Sequence, residues 1–408
     1  MAITFRQAEL DNGMIIAAEI DPTAASTAIG FFVRAGARDE TTSQMGTSHF
    51  LEHMMFKGTA HRTAEQVDQH FDDIGAVHNA FTTSEMTAFY AHTLPEHLGT
   101  AGDILADILR PALRQDDFDI EKNVILEEIA MYDDQPFWKL YEQAIERYYG
   151  AHPLSHRVLG TRETITALTC DQMRAYFEYH YSADNTIVAL AGAVDFDAMV
   201  ERLGALCGGW PRTNVDRAQP AVHATPDAFT IEVPNVVLQY QLYVSPAPAM
   251  DDPRRHAAAV LAQILGDVEG SRLYWALIDA GIAEEAQAQY DPRDQAGDLL
   301  VFAACEPARG EEVEAIIRRE IATLVDHISE DDVVRVRNKV LTAATLHGER
   351  PSGRMNRLGR VMTYLGTYRS LEEELARMDA VTLDDLRQVA RDFPLEPVIS
   401  GRLTPTSA

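Results

Sequence analysis

The 408-residue sequence is poor in cysteine, in basic charge and in long apolar runs. Its three cysteines, Cys170, Cys207 and Cys305, are too few and too widely spaced for a disulfide framework or a CxxC metal knuckle. They are expected to be small buried hydrophobes in a reducing compartment. Lysine and arginine number 35 against 63 acids, a formal charge of −28. This argues against a nucleic-acid partner, because phosphate binding needs basic surface. It is compatible with a solvated acidic surface, or with a cleft that attracts cationic peptides. No apolar run approaches the ~20 residues of a membrane-spanning helix, so no membrane association is expected. The opening MAITFRQAELDNGMIIAAEID has no basic segment ahead of an apolar block and does not read as a transit peptide. The expected location is the cytoplasm.

What is present is an ordinary globular balance, 46% hydrophobic and 24% charged, in a length that suits two domains. GMIIAAEI and STAIGFFVRAG read as strands bounded by Asn12-Gly13, Asp21-Pro22 and Gly36. Helical patterns follow at 44–57 and 63–74, then a hairpin-like block, GAVHNAFTTSEMTAFYAHTL. Further helices are expected at 95–110, 116–133, 136–149 and 171–180, and NTIVALAGAV reads as a buried strand. The Gly- and Pro-rich stretch from Gly208 to Asp227 lacks periodicity and reads as a linker. Beyond it the order repeats. FTIEVPNVVLQYQLYVSPAP, LLVFAACEPARG and PVISGRL are strand-like, and helical patterns occur at DPRRHAAAVLAQILGD, 310–326, 329–346, 354–364, 371–378 and 382–392. This repetition suggests a duplicated α+β domain, divided as 1–210, a linker 211–227, and 228–408.

The segment GTSHFLEHMMFKG concentrates polar chemistry in an apolar setting. At about 100° per residue, His49 and His53 lie on one face of a helix, a spacing that lets two imidazoles share one zinc ion. Glu52 falls beside them, placed to take a proton rather than to ligate. Thr47 or Ser48 is available as an N-cap. A buried His-Glu-His group without partners is costly, and a metal ion supplies the partner. A third ligand is sought in FDIEKNVILEEIAMYDDQP. If Ile120, Val124, Ile125, Ile129 and Met131 mark its apolar stripe, Glu121 and Glu128 fall near the centre and Glu127 at the edge. Glu128 then suits the metal and Glu121 a histidine behind it. The alternative, that these acids pair with arginines on another helix, stays open at this point.

HxxEH, here His49-Phe50-Leu51-Glu52-His53, is the inverzincin signature. The surrounding text resembles the pitrilysin and mitochondrial-processing-peptidase family of zinc peptidases. VRAGARDE, HFLEHMMFKGT, GAVHNAFTTSEMTAFY, VILEEI, HPLSHRVLGTRETI, ILGDVEGSRLYWALIDAGIA and NRLGRVMTYLG all carry the likeness, which spans nearly the whole chain. It resembles the small two-domain bacterial type. The resemblance implies two homologous α+β domains, each an antiparallel-rich mixed sheet packed with helices, with HxxEH in the first only. It implies Zn2+ held by His49, His53 and Glu128, Glu52 as general base, and Glu121 as a second acid. It places Asn79 and Ala80 on a peptide-binding edge strand, and it has Arg357 and Tyr364 reach the site from the second domain. AGIAEEAQAQY and LGDVEGSR depart from the usual family text.

The expected function is therefore a zinc metalloendopeptidase acting on peptides or unfolded segments within a chamber. The rival reading is a non-catalytic peptide-binding or assembly subunit of the same fold, and a third is a zinc hydrolase for non-peptide substrates. One chain holding both HxxEH and the Arg/Tyr helix points to a homodimer, with a heterodimer containing an inactive homologue as the alternative. His70, His78, His92, His152, His156 and His180 are scattered without paired spacing and read as structural or surface groups.

Overall fold

The computed structural model describes residues 3–406. In chain order it contains strands β1 (Thr4–Glu9), β2 (Ile15–Ile20) and β3 (Thr27–Val33), then helices α1 (Thr47–Met55) and α2 (Ala64–Asp73). The hairpin β4 (Val77–Thr82) and β5 (Thr87–Thr93) leads to α3 (Leu98–Ile108), α4 (Gln115–Asp133), α5 (Pro136–Tyr149), α6 (Arg162–Ala167) and α7 (Cys170–His180). Next come β6 (Thr186–Gly192), α8 (Phe196–Cys207), β7 (Asp227–Val233), β8 (Gln239–Pro246) and α9 (Arg255–Gly266). The hairpin β9 (Glu285–Arg293) and β10 (Ala296–Cys305) precedes α10 (Gly310–His327), α11 (Glu330–Gly348), α12 (Pro351–Leu365), α13 (Leu371–Asp379), α14 (Leu383–Asp392) and β11 (Ile399–Pro405). The sequence patterns anticipate most of these. β1, α6, α8 and β9 have no counterpart among the expected elements; β9 (EAQAQYDPR) is polar and alanine-rich, a composition that gives a weak strand signal. No helix among the described residues is long and apolar enough to cross a membrane.

The chain forms two compact units. The first takes Met1–Ala130, His156–Ala218 and Thr345–Arg369; the second takes Met131–Ser155, Gln219–Ala344 and Ser370–Ala408. The expected division in simple chain order leaves out an exchange: α5 belongs to the second unit and α12 to the first. The expected linker is also shared, its residues up to Ala218 belonging to the first unit.

The sheet of the first unit has the order β1-β2-β6-β3-β5-β4. β2 runs parallel to β6, and the other pairings are antiparallel. β3 is buried along its whole length because both faces of the sheet are covered. Ile29, Phe31 and Val33 join Phe50, Leu51 and Met54 of α1 in one core. Ala28 and Phe32 face the other way, where Ala17, Ala88, Ala189 and Ala191 make a shallow floor for Met355, Leu358 and Met362 of α12. That floor of small residues brings α12 so close that a Cβ on Gly359 would overlap the Phe32 ring. The strand β4 is left at the sheet edge.

In the second unit the order is β7-β11-β8-β10-β9. β7 is parallel to β11, and β11-β8, β8-β10 and β10-β9 are antiparallel. This is the direction pattern of β2-β6-β3-β5-β4, so the repeated element order of the sequence is a repeated topology. The faces of this sheet are covered by α9 with its neighbours and by α5.

Candidate metal centre

Helix α1 is preceded by Gly46, whose φ of +92° is left-handed and whose Cβ, if it had one, would crowd the Leu159 carbonyl. Neither Thr47 nor Ser48 caps the helix, as the sequence suggested; both lie inside its first turn. Glu40 caps it instead, accepting the backbone N–H of Gly46 at 2.7 Å and of Ser48 at 2.6 Å. A carboxyl at this end also meets the positive pole of the helix. The Thr47 hydroxyl donates to the Gln44 carbonyl, and Ser48 Oγ hydrogen-bonds the Tyr176 hydroxyl at 2.8 Å. With Phe50, Leu51, Met54 and Met55 buried, the face left partly open carries His49, Glu52 and His53.

Helix α4 brings the acids. Its buried face holds Phe118, Glu121, Ile125 and Ile129, whereas Ile120, Val124 and Met131 are exposed at 66%, 43% and 54%. The apolar stripe read from the sequence was therefore set partly on the wrong side. Apolar and aromatic positions spread around α4 make its periodicity ambiguous, and only packing selects the face.

His49, His53 and Glu128 each offer a ligand atom within 4.8 Å of the others. His49 Nε2 lies 3.7 Å from Glu128 Oε1, and His53 Nε2 lies 3.7 Å from Glu128 Oε2. These separations are too long for hydrogen bonds. They are close to the ~3.4 Å edge of a tetrahedron with metal–ligand bonds of about 2.1 Å. Among the described residues neither nitrogen of His49 has a hydrogen-bond partner, and its Nδ1 is buried. Burial, aided by His53, lowers the His49 pKa to about 3, so the imidazole is neutral and its lone pair is available. The donor set of two imidazoles and a carboxylate thus fits a zinc ion with an open position.

Glu121 lies behind His53, its Oε1 at 2.8 Å from His53 Nδ1 and its Oε2 at 2.5 Å from Lys57 Nζ. Burial alone would raise the Glu121 pKa, but the hydrogen bonds from Lys57 and His53 outweigh it and lower it. An ionised Glu121 only accepts, so Nδ1 of His53 carries the proton and Nε2 is left to face Glu128. Glu128 is raised by burial, with His53 opposing and Glu121 adding. Glu52 is outside the ligating group. Burial raises its pKa, and its hydrogen bond with Thr82 and the nearby His53 offset this in part. A partly buried carboxyl raised towards neutrality beside a metal site suits proton transfer.

Asn79 and Ala80 lie on the edge strand β4. Asn79 Oδ1 accepts the Ala80 N–H at 2.9 Å. Ala80 packs against the α1 side of the sheet and Phe81 against the α12 side, so Ala80 and Thr82 share the face of the metal centre. Arg357 and Tyr364 do not join the cluster. Arg357 ion-pairs with buried Glu19 and donates to the Arg369 carbonyl, while the Tyr364 hydroxyl donates to Glu85 Oε2 at 2.8 Å. They come from α12, which belongs to the same compact unit as HxxEH.

Three successive residues anchor the segment that precedes α1. Arg38 pairs with Glu85 at 2.5 Å, both side chains nearly inaccessible. Asp39 accepts Nε and Nη2 of Arg217 at 2.8 and 2.7 Å. Glu40 caps α1. Arg217 lies within the expected linker, so that segment is clamped here rather than loose. Sequence reasoning missed Glu40, Lys57 and Thr82. Lys57, four residues after His53, and Thr82, two after Ala80 on the same strand face, carry a periodic signal; Glu40 carries none.

The profile of the insulinase family, peptidase family M16, matches residues 15–162, and that of the peptidase M16 inactive domain matches residues 167–340. An uncharacterized zinc protease of Streptomyces coelicolor is 32% identical over 399 residues, covering 95% of this chain and 87% of the relative. An uncharacterized zinc protease of Bacillus subtilis is 28% identical and covers 97% of each chain. Among solved structures, a protease from Helicobacter pylori superposes with a TM-score of 0.92 at 19% identity, covering 99% of this chain and 100% of that one. A peptidase M16 inactive domain structure from Pseudomonas fluorescens gives 0.90 at 17% identity, covering 100% and 99%. At such identities these structures speak for the fold.

Proposed function

The chain belongs to peptidase family M16, and from that premise we propose that it is a zinc metallopeptidase that cleaves peptides or unfolded segments. The observation that carries this is the convergence of His49 Nε2 and His53 Nε2 on the two oxygens of Glu128, with Glu52 adjacent but not among the ligating atoms. A zinc ion held by these three residues supplies a Lewis acid for the scissile carbonyl and makes water easier to deprotonate.

Within this reading, Glu52 takes a proton from the attacking water on a carboxylate oxygen and delivers it to the leaving amine. Glu121 holds His53 in the ligating tautomer, and Lys57 holds Glu121. The substrate adds as a strand to the free edge of β4 along Asn79 and Ala80, where main-chain bonding tolerates many sequences and the small Ala80 side chain admits close approach. Arg357 and Tyr364 would steady the substrate or the developing oxyanion only after leaving Glu19 and Glu85. A chamber closed by a second copy of the chain completes the proposal, and light scattering distinguishes that homodimer from a monomer or a mixed assembly. A cytoplasmic setting remains part of it.

The test is zinc content together with cleavage of a quenched-fluorescent peptide library, with Glu52→Gln in parallel. Stoichiometric zinc and cleavage lost in Glu52→Gln are expected. Equal cleavage by both proteins refutes the base. A protein that takes up no zinc favours the peptide-binding subunit, and bound zinc without action on any peptide favours a non-peptide hydrolase.

A further inference from the structure

Thr82 closes the edge strand β4, and its hydroxyl donates to Glu52 Oε2 at 2.5 Å. It is the one hydrogen-bond partner of Glu52 among the described residues. We propose that Thr82 is a positioning residue for the base: it holds one Glu52 oxygen so that the other is presented to the water beside His49, His53 and Glu128. The inference rests on the reading of Glu52 as the base and deepens it.

The geometry supports the assignment from both sides of the contact. A glutamate side chain has several rotatable bonds, and without an anchor its carboxylate samples orientations that do not reach the water. Threonine is β-branched and stiff at χ1, so its hydroxyl direction follows from the backbone. That backbone is itself fixed, since Thr82 pairs with Thr87 in the β4–β5 register and the Thr87 hydroxyl donates to the Ala35 carbonyl at 2.9 Å. The Thr82 and Thr87 hydroxyl oxygens are 3.5 Å apart, so with both protons committed elsewhere Thr82 keeps its single proton for Glu52.

The placement has a second consequence. Thr82 lies two residues beyond Ala80 on the same strand face, and the free edge of β4 is where a substrate strand would pair. The anchor of the base and the template for the substrate are one strand. Thr82 therefore keeps the Glu52 oxygen in register with the peptide bond that β4 presents, and its removal acts on turnover rather than on binding, because the main-chain groups of β4 are unchanged.

The experiment compares Thr82→Val, which keeps the branched shape and loses the hydroxyl, with Thr82→Ser, which keeps the hydroxyl, in the full-length zinc-loaded protein. Glu52→Gln and the Thr82→Val/Glu52→Gln double variant are controls. Thr82→Val is expected to lower kcat on the order of 10- to 100-fold with KM and zinc affinity, read by chelator competition, within about twofold of wild type. Thr82→Ser is expected to recover most of kcat, and the double variant to be no slower than Glu52→Gln. Full kcat in Thr82→Val beside an inactive Glu52→Gln overturns the positioning role and leaves the base standing. A Glu52→Gln as active as wild type overturns the base, and this inference with it. Loss of zinc or a parallel rise in KM in Thr82→Val, unrelieved by serine, makes Thr82 a structural tie and also overturns the proposal.

Discussion

Glu121 accepts the Nδ1 proton of His53 at 2.8 Å, from a position 97% shielded from solvent. This contact turns the imidazole so that Nε2 meets Glu128, and it explains why a carboxylate sits on the buried face of α4. Removing it in Glu121→Ala is expected to weaken zinc binding roughly 10- to 100-fold. Competition with a chromophoric chelator measures this. An unchanged affinity would mean that His53 is oriented by something else.

Ligand and base separate in a paired comparison. Glu128→Ala is expected to lose zinc and activity together. Glu52→Gln is expected to retain stoichiometric zinc while kcat falls by about 10²- to 10⁴-fold. Metal analysis and single-turnover kinetics on the two variants read the difference, and zinc loss in Glu52→Gln would place Glu52 among the ligands.

Glu40 links stability to pH from the alkaline side. Burial raises its pKa from the ordinary 4.5 to about 8, against the opposing hydrogen bonds of Ser48 and Gly46. The folded chain therefore keeps a proton that the unfolded chain releases above 4.5. The stability it contributes is full below 4.5, declines as pH rises to about 8, and is flat beyond. Glu40→Gln removes this dependence and puts an amide donor against a backbone N–H, at a cost of about 1–3 kcal/mol. Urea melts at acid, neutral and mildly alkaline pH should show the gap between wild type and variant narrowing as pH rises.

Glu374 behaves in the opposite sense. It pairs with Arg255 at 2.5 Å and His256 at 3.1 Å, at the start of α9 in the second unit. Burial would raise its pKa, but hydrogen bonds from His256 and Arg255 prevail and hold it well below the usual carboxylate range. Its stabilising contribution is present above the ordinary value of 4.5 and is lost as pH falls below it. Glu374→Gln is expected to cost roughly 2–4 kcal/mol at neutral pH, since it strands a buried guanidinium. The difference from wild type should shrink on acidification; a constant difference would rule out the ionised pair.

Gly359 is required by the approach of α12 to the sheet, because a methyl group there meets the Phe32 ring. Gly359→Ala is expected to destabilise by about 1–3 kcal/mol through overpacking, although alanine favours a helix. Thermal melts check this, and zinc affinity should not change, since Phe32 and α12 lie on the sheet face away from α1.

Much of the centre was legible beforehand because its spacing is local. His49 and His53 share a face whenever their segment is helical, and Glu121 and Glu128, seven residues apart on α4, project together whatever that helix packs against. The repeat of element order was likewise visible, and the two sheets carry it as one pattern of strand directions. The apolar stripe of α4 was not legible, since hydrophobic residues surround the helix and only the core chooses among them.

The sequence by itself put His49, Glu52 and His53 together on one helix and Glu121 and Glu128 together on another, because helical periodicity converts those spacings into geometry without further help. The tertiary structure alone decided which residues serve them. Glu40 reaches α1 across a turn, Thr82 reaches Glu52 from a strand 30 residues away, and Arg357 and Tyr364 are committed to Glu19 and Glu85. The reason is physical: a contact between distant segments is set by how two sheets recruit covering helices. Here α12 returns to the first sheet because a floor of alanines there admits it.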